Sequence, residues 1–272
     1  MGSTGLDRTF NFDPALLRRH VIRMAYAGQS VHVPCAFSLI EIVSVLYSKI
    51  LKFNPQNPKD EDRDYLVLSK GHGVMALYAC LREIGWLTDQ NLDEYFSDGS
   101  LLRGLSESDI PGLEVTSGSL GHGLPVATGI ALGLKLKGSS WRVYCIVGDG
   151  ELNEGSMWEA IALAGYHKLN NLTVIVDANG LQAMGQTQSI LDLEPLIDKF
   201  KSFHFDALEC PGHDLVVLER SLASLGSRSQ PQALIARTVK GKGVSFMEND
   251  NSWHYTRLSK DYMERALKEL KA

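Results

Sequence analysis

Val143-Tyr144-Cys145-Ile146-Val147-Gly148-Asp149-Gly150 runs from an unbroken apolar stretch straight into an acid between two glycines. Downstream, Leu172-Thr173-Val174-Ile175-Val176-Asp177-Ala178-Asn179 repeats the pattern of a β-branched run ending in polar groups. Both runs read as buried strands, and a helix is expected between them from about Gly155 to Lys168. Glycines on either side of Asp149 carry no Cβ, so the backbone there can approach a ligand closely. The free N–H groups of the following helix face the same spot. Parallel strands bring their carboxyl ends to one edge, where open α/β sheets bind ligands. A carboxylate from Asp149, an amide oxygen from Asn179 and a helix N-terminus meeting there suit a hard divalent cation bridging to a diphosphate.

Working outward, strands and helices alternate. Asp13-Pro14 starts a helix with a capping residue and a proline at its first position, and the helix runs to about Ala27. A loop from Gly28 to Pro34 leads to a helix over Ser38 to Lys52. A short strand, Tyr65-Leu66-Val67-Leu68, precedes Ser69-Lys70-Gly71-His72-Gly73. Helices are expected at Val74 to Ile84, from a Thr88 cap to about Phe96, and at Leu124 to Lys137. Residues 98–121 are rich in glycine and serine, without period, and too long for an idle connector. Gly180 to Ser189 reads as irregular. A helix near Leu193 to Phe203, a strand near Phe205 to Glu209, a helix from Asp214 to about Leu225, the strand Gln232 to Thr238 and a helix from Lys260 to Lys271 complete the chain. Such alternation predicts an α/β fold in which a mostly parallel sheet carries helices on both faces. All of 1–272 is expected to form a single diphosphate-binding domain.

Composition excludes several classes. The chain has 272 residues and a formal net charge of −5, with no basic stripe that would suit nucleic acid. No apolar run reaches membrane-spanning length. The start, Met1-Gly2-Ser3-Thr4-Gly5, has neither the charged nor the apolar region of a secretory signal. Cys35, Cys80, Cys145 and Cys210 lie far apart without a paired spacing; Cys145, within a core strand, is expected to be a buried thiol rather than a metal ligand or half of a disulfide, and a reducing cytoplasm fits.

The extended motif GDGELNEGSMWEA through LAGYHKLNNLTVIVDANGLQ resembles the transketolase family. That resemblance implies thiamin diphosphate and Mg²⁺ as cofactors. It makes Asp149, the Asn179 side chain and the Leu181 carbonyl the metal ligands, and sets the Gly150 backbone against the diphosphate. Four further loops carry the likeness across nearly the whole chain. By resemblance His32 projects into the substrate channel, although a lone loop histidine reads equally as a surface imidazole. His72, between glycines just past a strand end, corresponds to a group near the cofactor that transfers protons or binds hydroxyls. Thr116-Ser117-Gly118-Ser119-Leu120-Gly121-His122-Gly123 resembles the segment that cradles the cofactor rings, with Gly118 and Leu120 in contact; His122 stands where glutamine is usual and takes no role. Lys240-Gly241-Lys242-Gly243 could form a phosphate-friendly loop or simply a solvated charge run. His254 matches a family histidine that contacts diphosphate and substrate. Glu154 resembles the acid that links two active sites across a dimer interface.

Some positions depart from the pattern. Val31 and Val33-Pro34 replace glycine and Pro-Gly around His32, and Tyr255 replaces the glycine after His254. In the stretch Arg103-Gly104-Leu105-Ser106-Glu107, Leu105 stands where the family has a donor-binding histidine. A leucine side chain cannot hydrogen-bond, so a hydroxyl there would go unpaired at a cost of about 1–3 kcal/mol. An altered donor is expected, or Arg103 as the substitute polar contact. The resemblance covers only the diphosphate-binding half of a transketolase. The glutamate that activates the cofactor is expected on a C-terminal-half subunit carrying the pyrimidine-binding domain, in an α₂β₂ assembly. The implied reaction is transfer of a two-carbon ketol unit from a ketose, free or phosphorylated, to an aldose. The alternatives are the α subunit of a 2-oxoacid dehydrogenase-like thiamin enzyme, and a non-catalytic cofactor-binding subunit.

Overall fold

Five strands form one sheet: β1 (Tyr65–Leu68), β2 (Val143–Gly148), β3 (Leu172–Ala178), β4 (Asp206–Pro211) and β5 (Gln232–Arg237). The order is β1-β2-β3-β5-β4, and every neighbouring pair is parallel. The computed structural model describes residues 10–29, 32–226 and 229–271. Ser30 and Val31, which open the His32 loop, therefore lie outside the described residues. Pairing of Gly148 with Asp177, and of Asp177 with Ala236, aligns the carboxyl ends of the three central strands. A single functional edge results.

The helices are α1 (Pro14–Gly28), α2 (Val33–Phe37), α3 (Ile40–Val45), α4 (Met75–Ile84), α5 (Asp89–Asp93) and α6 (Gly123–Leu136). After them come α7 (Gly155–Tyr166), α8 (Thr187–Leu191), α9 (Leu196–Ser202), α10 (Leu215–Leu225) and α11 (Lys260–Glu269). Because side chains alternate along a strand, each strand feeds two cores. Val143, Cys145 and Val147 of β2, with Leu172, Val174 and Val176 of β3, pack against α6, α7 and α9. Tyr144, Ile146 and Ile175 face the opposite core with α1 to α4 and α10. The expected parallel sheet with helices on both faces is what the chain forms.

Local chemistry explains most boundaries. The Asp13 carboxylate accepts from the Ala15 N–H at 2.9 Å, Thr88 and Asn91 close a capping box, and Asp214 caps α10. Other expectations need correction. The segment expected as a loop to Pro34 already turns helical at Val33, because the proline sits in the first turn, where it lacks only a donor the helix does not use. The single helix expected over Ser38 to Lys52 is α3 followed by a π-helical turn, Leu46–Ile50. The Thr88 helix stops at Asp93, not near Phe96. Helix α8 begins at Thr187, inside the segment expected to be irregular, and runs past its end to Leu191; none of its residues is buried, so no apolar period announced it. Helix α9 begins at Leu196, after Pro195, rather than near Leu193. Finally, a 3₁₀ turn, Gly150–Asn153, stands between β2 and α7, so that helix does not follow Asp149 at once.

All four cysteines are buried and free. Among the described residues no helix is long and apolar enough to cross a membrane.

Two glycines test the packing. At Gly165 in α7 an added Cβ would stand 2.0 Å from the Phe203 carbonyl oxygen, whereas at Gly129 in α6 nothing lies within 4 Å. Gly165→Ala should destabilise the chain by about 1–3 kcal/mol through overpacking. Gly129→Ala should stabilise it by about 0.4–1 kcal/mol by restricting the unfolded chain. Urea unfolding of both variants reads the two signs.

Candidate active site

The first layer of the site is built by the acids of the opening motif. Asp149 follows β2 and is buried. Its carboxylate accepts from the Gly150 N–H at 2.8 Å and from the Gly180 N–H at 2.6 Å. The turn after β3 is thereby tied to the turn after β2. Burial, with Asp177 nearby as a second negative charge, pushes Asp149 up to about 6. Next to it, Glu151 is also buried and gathers three donors: the Ser69 hydroxyl at 2.7 Å, the Gly121 N–H at 3.1 Å and the Gly148 N–H at 3.2 Å. One carboxylate thus joins the ends of β1 and β2 to the loop that precedes α6. Sequence reasoning missed Glu151, although an acid inside so tight a glycine cluster was a signal.

Asp177 lies wholly inside the protein at the end of β3. It accepts from Lys70 Nζ at 2.5 Å, Ser38 Oγ at 2.6 Å, Asn179 Nδ2 at 3.2 Å and the Thr238 hydroxyl. Burial alone would raise its pKa, but Lys70 and the hydroxyl donors outweigh that and hold it below the usual carboxylate range. The partners come from the ends of β1, β3 and β5 and from the turn between α2 and α3. A charged residue in an otherwise apolar strand is rarely buried without a partner, and that was the available sign.

Above this layer stand three histidines from three separate loops. The His32 ring centroid is 5.1 Å from His72 and 5.2 Å from His254, and His72 is 6.1 Å from His254. Tyr255 packs on His32 at 4.8 Å, a contact the sequence did not suggest. Burial, then Lys240 and Lys70, push His32 down to about 4. Burial, Lys240 and His32 take His254 down to about 4 as well. His72 is held well below the ordinary imidazole range, chiefly by burial and by Lys70. All three rings are therefore neutral near pH 7.

These layers enclose a cavity of about 570 Å³, lined by His32, His72 and His254 together with Asp149, Asn179 and Leu181. Gly118, Leu120, Gly150 and Glu154 line it too, so the structure brings the expected metal-binding, cofactor-binding and catalytic residues to one space, while Arg103 lies outside it. Glu154 itself is exposed at the start of α7. His122 is exposed and turned onto the Leu120 carbonyl. Leu105 forms an apolar wall: its side chain would stand 2.6 Å from a Cβ added at Gly118. Beyond it a second chamber of about 390 Å³ shares His32 and Leu105 and adds Tyr95, Phe96, Arg103, Glu107 and Tyr255. Arg103 lies 3.6 Å from Asp109 on the surface.

The cavity floor fits a cation. Among the described residues Asp149 has no cationic side chain in contact, its two oxygens accepting from backbone N–H groups. Among the described residues no group of three or more histidine, cysteine and acidic side chains could hold a metal. The donors available are therefore hard oxygens: the Asp149 carboxylate, the Asn179 amide oxygen and the Leu181 carbonyl. That set suits Mg²⁺ with a phosphate completing its shell.

Comparison with known proteins bears on the same residues. Residues 16–271 match the family model for the transketolase thiamine diphosphate binding domain. The chain is 39% identical over 258 residues to one of the subunits of the apulose-4-phosphate transketolase of Actinobacillus succinogenes, covering 94% of each chain. It is 36% identical over 243 residues to a 6-deoxy-6-sulfo-D-fructose transketolase subunit from a Clostridium species, covering 88% of each. Among solved structures, transketolase from Campylobacter jejuni superposes with a TM-score of 0.86 at 29% identity. That match covers 96% of this chain but 43% of the longer one.

The depressed histidines make stability depend on pH in a definite sense. Between about 4 and 6.5 the unfolded chain binds more protons at His32 than the folded one, so the His32 contribution to stability rises with pH across that window. Asp149, raised to about 6, acts in the opposite sense over much of this range, so the His32 contribution is read as a difference. His32→Gln should lower the slope of stability against pH relative to the unaltered chain in urea midpoints between pH 4 and 6.5. An unchanged slope would show that His32 is not held neutral.

Proposed function

The chain belongs to the transketolase family, and on that premise we propose that it is the subunit of a two-subunit transketolase that binds thiamin diphosphate and Mg²⁺. In this reading it takes part in moving a two-carbon ketol unit from a ketose phosphate or analogue to an aldose. The observation that carries the proposal is the pairing of a buried, cation-free Asp149 with three neutral histidines across one cavity.

Asp149, the Asn179 side chain and the Leu181 carbonyl would hold Mg²⁺, while Gly150, Gly118 and Leu120 would present backbone and apolar surface to the cofactor. Bound there, thiamin diphosphate would supply the electron sink for breaking and making the ketose carbon–carbon bond. The histidines would handle the substrate's hydroxyl protons, since neutral imidazole can both give and take one. A histidine charged at pH 7 could not act as base. The field of Lys70 and Lys240 keeps these rings in the useful form.

Two features support a partner. Relatives of almost the same length are named as subunits. Helices α6 and α7 also leave apolar side chains bare, with Leu136 and Tyr166 each 80% exposed and Val126 and Leu163 over 40%. Apolar positions all round a surface helix suit burial against another chain. We read that face as meeting a pyrimidine-binding subunit, in an α₂β₂ assembly that sets Glu154 near the interface.

Leu105 bears on the donor. Its backbone carbonyl and that of Arg103 both accept from the Tyr78 hydroxyl, at 3.3 and 3.2 Å. Ser106 pairs with Ser117, whose hydroxyl bonds the Leu68 carbonyl of β1. The backbone that carries this apolar wall is thus anchored to the sheet, which suits a donor with a different pattern of hydroxyls from the usual ketose phosphates. Arg103 would meet a polar or anionic group in the outer chamber.

Calorimetry should detect binding of thiamin diphosphate with Mg²⁺ to the purified chain, and Asp149→Ala should abolish it. Turnover should appear only when a C-terminal-half subunit is added. Absence of binding, or full turnover by this chain alone, would defeat the proposal. With the assembled enzyme, xylulose 5-phosphate and fructose 6-phosphate should be poor donors, and Leu105→His should raise kcat/KM for them roughly tenfold, matching about 1–3 kcal/mol for one restored hydrogen bond. Ordinary turnover of both by the unaltered enzyme would rule out the altered donor.

A further inference from the structure

Lys240 lies just past β5 and is 1% exposed. Its Nζ has three neighbours: Gln182 O at 3.3 Å, Asn251 Oδ1 at 3.0 Å and His254 Nδ1 at 2.8 Å. None is a carboxylate. The orientation of Asn251 is set independently, because its Nδ2 donates to the Ala183 carbonyl at 2.7 Å and so turns Oδ1 toward the lysine. Gln182 O is a backbone carbonyl and can only accept. Two acceptors are therefore certain, and the third position decides the state of His254.

An ammonium carries three N–H bonds, one for each neighbour. A neutral amine carries two, which the two oxygens would use up, leaving its lone pair to accept from the imidazole. The first arrangement makes Nδ1 of His254 an acceptor and puts the ring proton on Nε2. The second puts the proton on Nδ1. Burial comes first and, with Lys70, lowers the Lys240 pKa, while Cys35, Asp149 and Asp177 favour the charged form; three neighbours able to accept match the three N–H bonds of an ammonium. Burial comes first, then Lys240, His32 and Lys70, in holding His254 down at about 4. Among the described residues the other group at Nδ1 is the Cys35 thiol, at 3.8 Å, which can itself donate. Among the described residues, Nε2 has no hydrogen-bond partner, and the ring lines the main cavity.

We propose that Lys240 is a positioning residue: as an ammonium donating to Nδ1, it fixes His254 as the tautomer whose Nε2–H faces the cavity. His254 then meets whatever binds there as a hydrogen-bond donor, which on the reading of the preceding section is a phosphate or substrate oxygen. The Lys240 backbone is held from the other side. The Val239 N–H donates to His213 Nε2 at 2.7 Å, and His213 Nδ1 in turn donates to Glu41 at 2.8 Å. Glu41 is paired with buried Arg18. The histidine at the cavity and the one behind the loop thus stand in the same sequence of contacts with opposite duties.

Imidazole ¹⁵N NMR of the purified chain without cofactor or metal tests this, with His254 assigned by the loss of its signals in His254→Gln. The expected result is an Nε2–H tautomer with two well-separated nitrogen shifts, staying neutral down to about pH 4. Lys240→Met should collapse the two shifts toward an averaged pair and move the titration toward the ordinary 6.5; Lys240→Arg, which keeps charge and donors, should retain the separated shifts. An Nδ1–H tautomer in the unaltered chain overturns the proposal whether or not the variants fold, as do shifts that Lys240→Met leaves unchanged. Cofactor binding is read separately by calorimetry, so failure of the tautomer and failure of the proposed function are told apart.

Discussion

A carboxylate sealed inside the end of a parallel strand is the constraint on which the rest of this structure turns. Asp177 has no exposure, and a buried ion of this kind costs several kcal/mol unless its charge and lone pairs are met. Lys70, Ser38, Asn179 and Thr238 meet them. Removing one partner of such a buried pair typically costs about 3–5 kcal/mol, because the other charge is left uncompensated. The four donors come from distinct segments, so their convergence fixes where those segments end relative to one another. Asn179 is a member of that cluster, His72 is two residues from Lys70, and Asp149 follows Gly148, which pairs with Asp177. The cavity inherits its geometry from the ion pair beneath it.

That arrangement also explains which parts of the protein could be read in advance. Strand identity followed from composition, since Val143 to Val147 and Leu172 to Val176 are apolar on both faces and both faces are covered. Helix starts followed from Asp13-Pro14, Thr88 and Asp214, where a side chain within three residues decides the matter. The candidate residues of the cavity followed from motifs in which glycine permits close approach, as at Gly71, where an added Cβ would stand 2.3 Å from the Ser117 carbonyl oxygen. What stayed hidden depends on distance in sequence. Lys70 and Asp177 are 107 residues apart, and Tyr255 reaches His32 only after the whole sheet has formed. Helix α8 left no trace because it buries nothing, and periodicity reports burial.

The two buried lysines do different work although both sit at the same sheet edge. Lys70 is matched by a carboxylate in direct contact, so its charge is largely spent on Asp177 and its pKa is raised despite burial. Lys240 has only neutral acceptors, its pKa is lowered, and its field acts outward on the three imidazoles. A single cation near a cavity would draw protons off neighbouring histidines and attract anions at once. Both effects serve a phosphate-bearing ligand: the rings stay neutral and able to exchange protons, while the positive field steadies the anion. Lys240→Met would remove both effects, whereas loss of Lys70 would first expose Asp177.

Seen from the outside, the same cavity is open where its walls are least polar. Leu120, Met184, Ile190 and Leu191 stand at its margin with more than a third of their surface bare, and α6 and α7 carry further exposed apolar side chains. The floor, by contrast, is closed by hydrogen bonds at nearly every polar atom. A floor so fully satisfied needs no help to keep its shape, whereas the apolar margin gains from being covered. The contrast is physical: the floor supplies rigid polar anchoring for a charged ligand, while the apolar margin remains the part of the site that covering would stabilise.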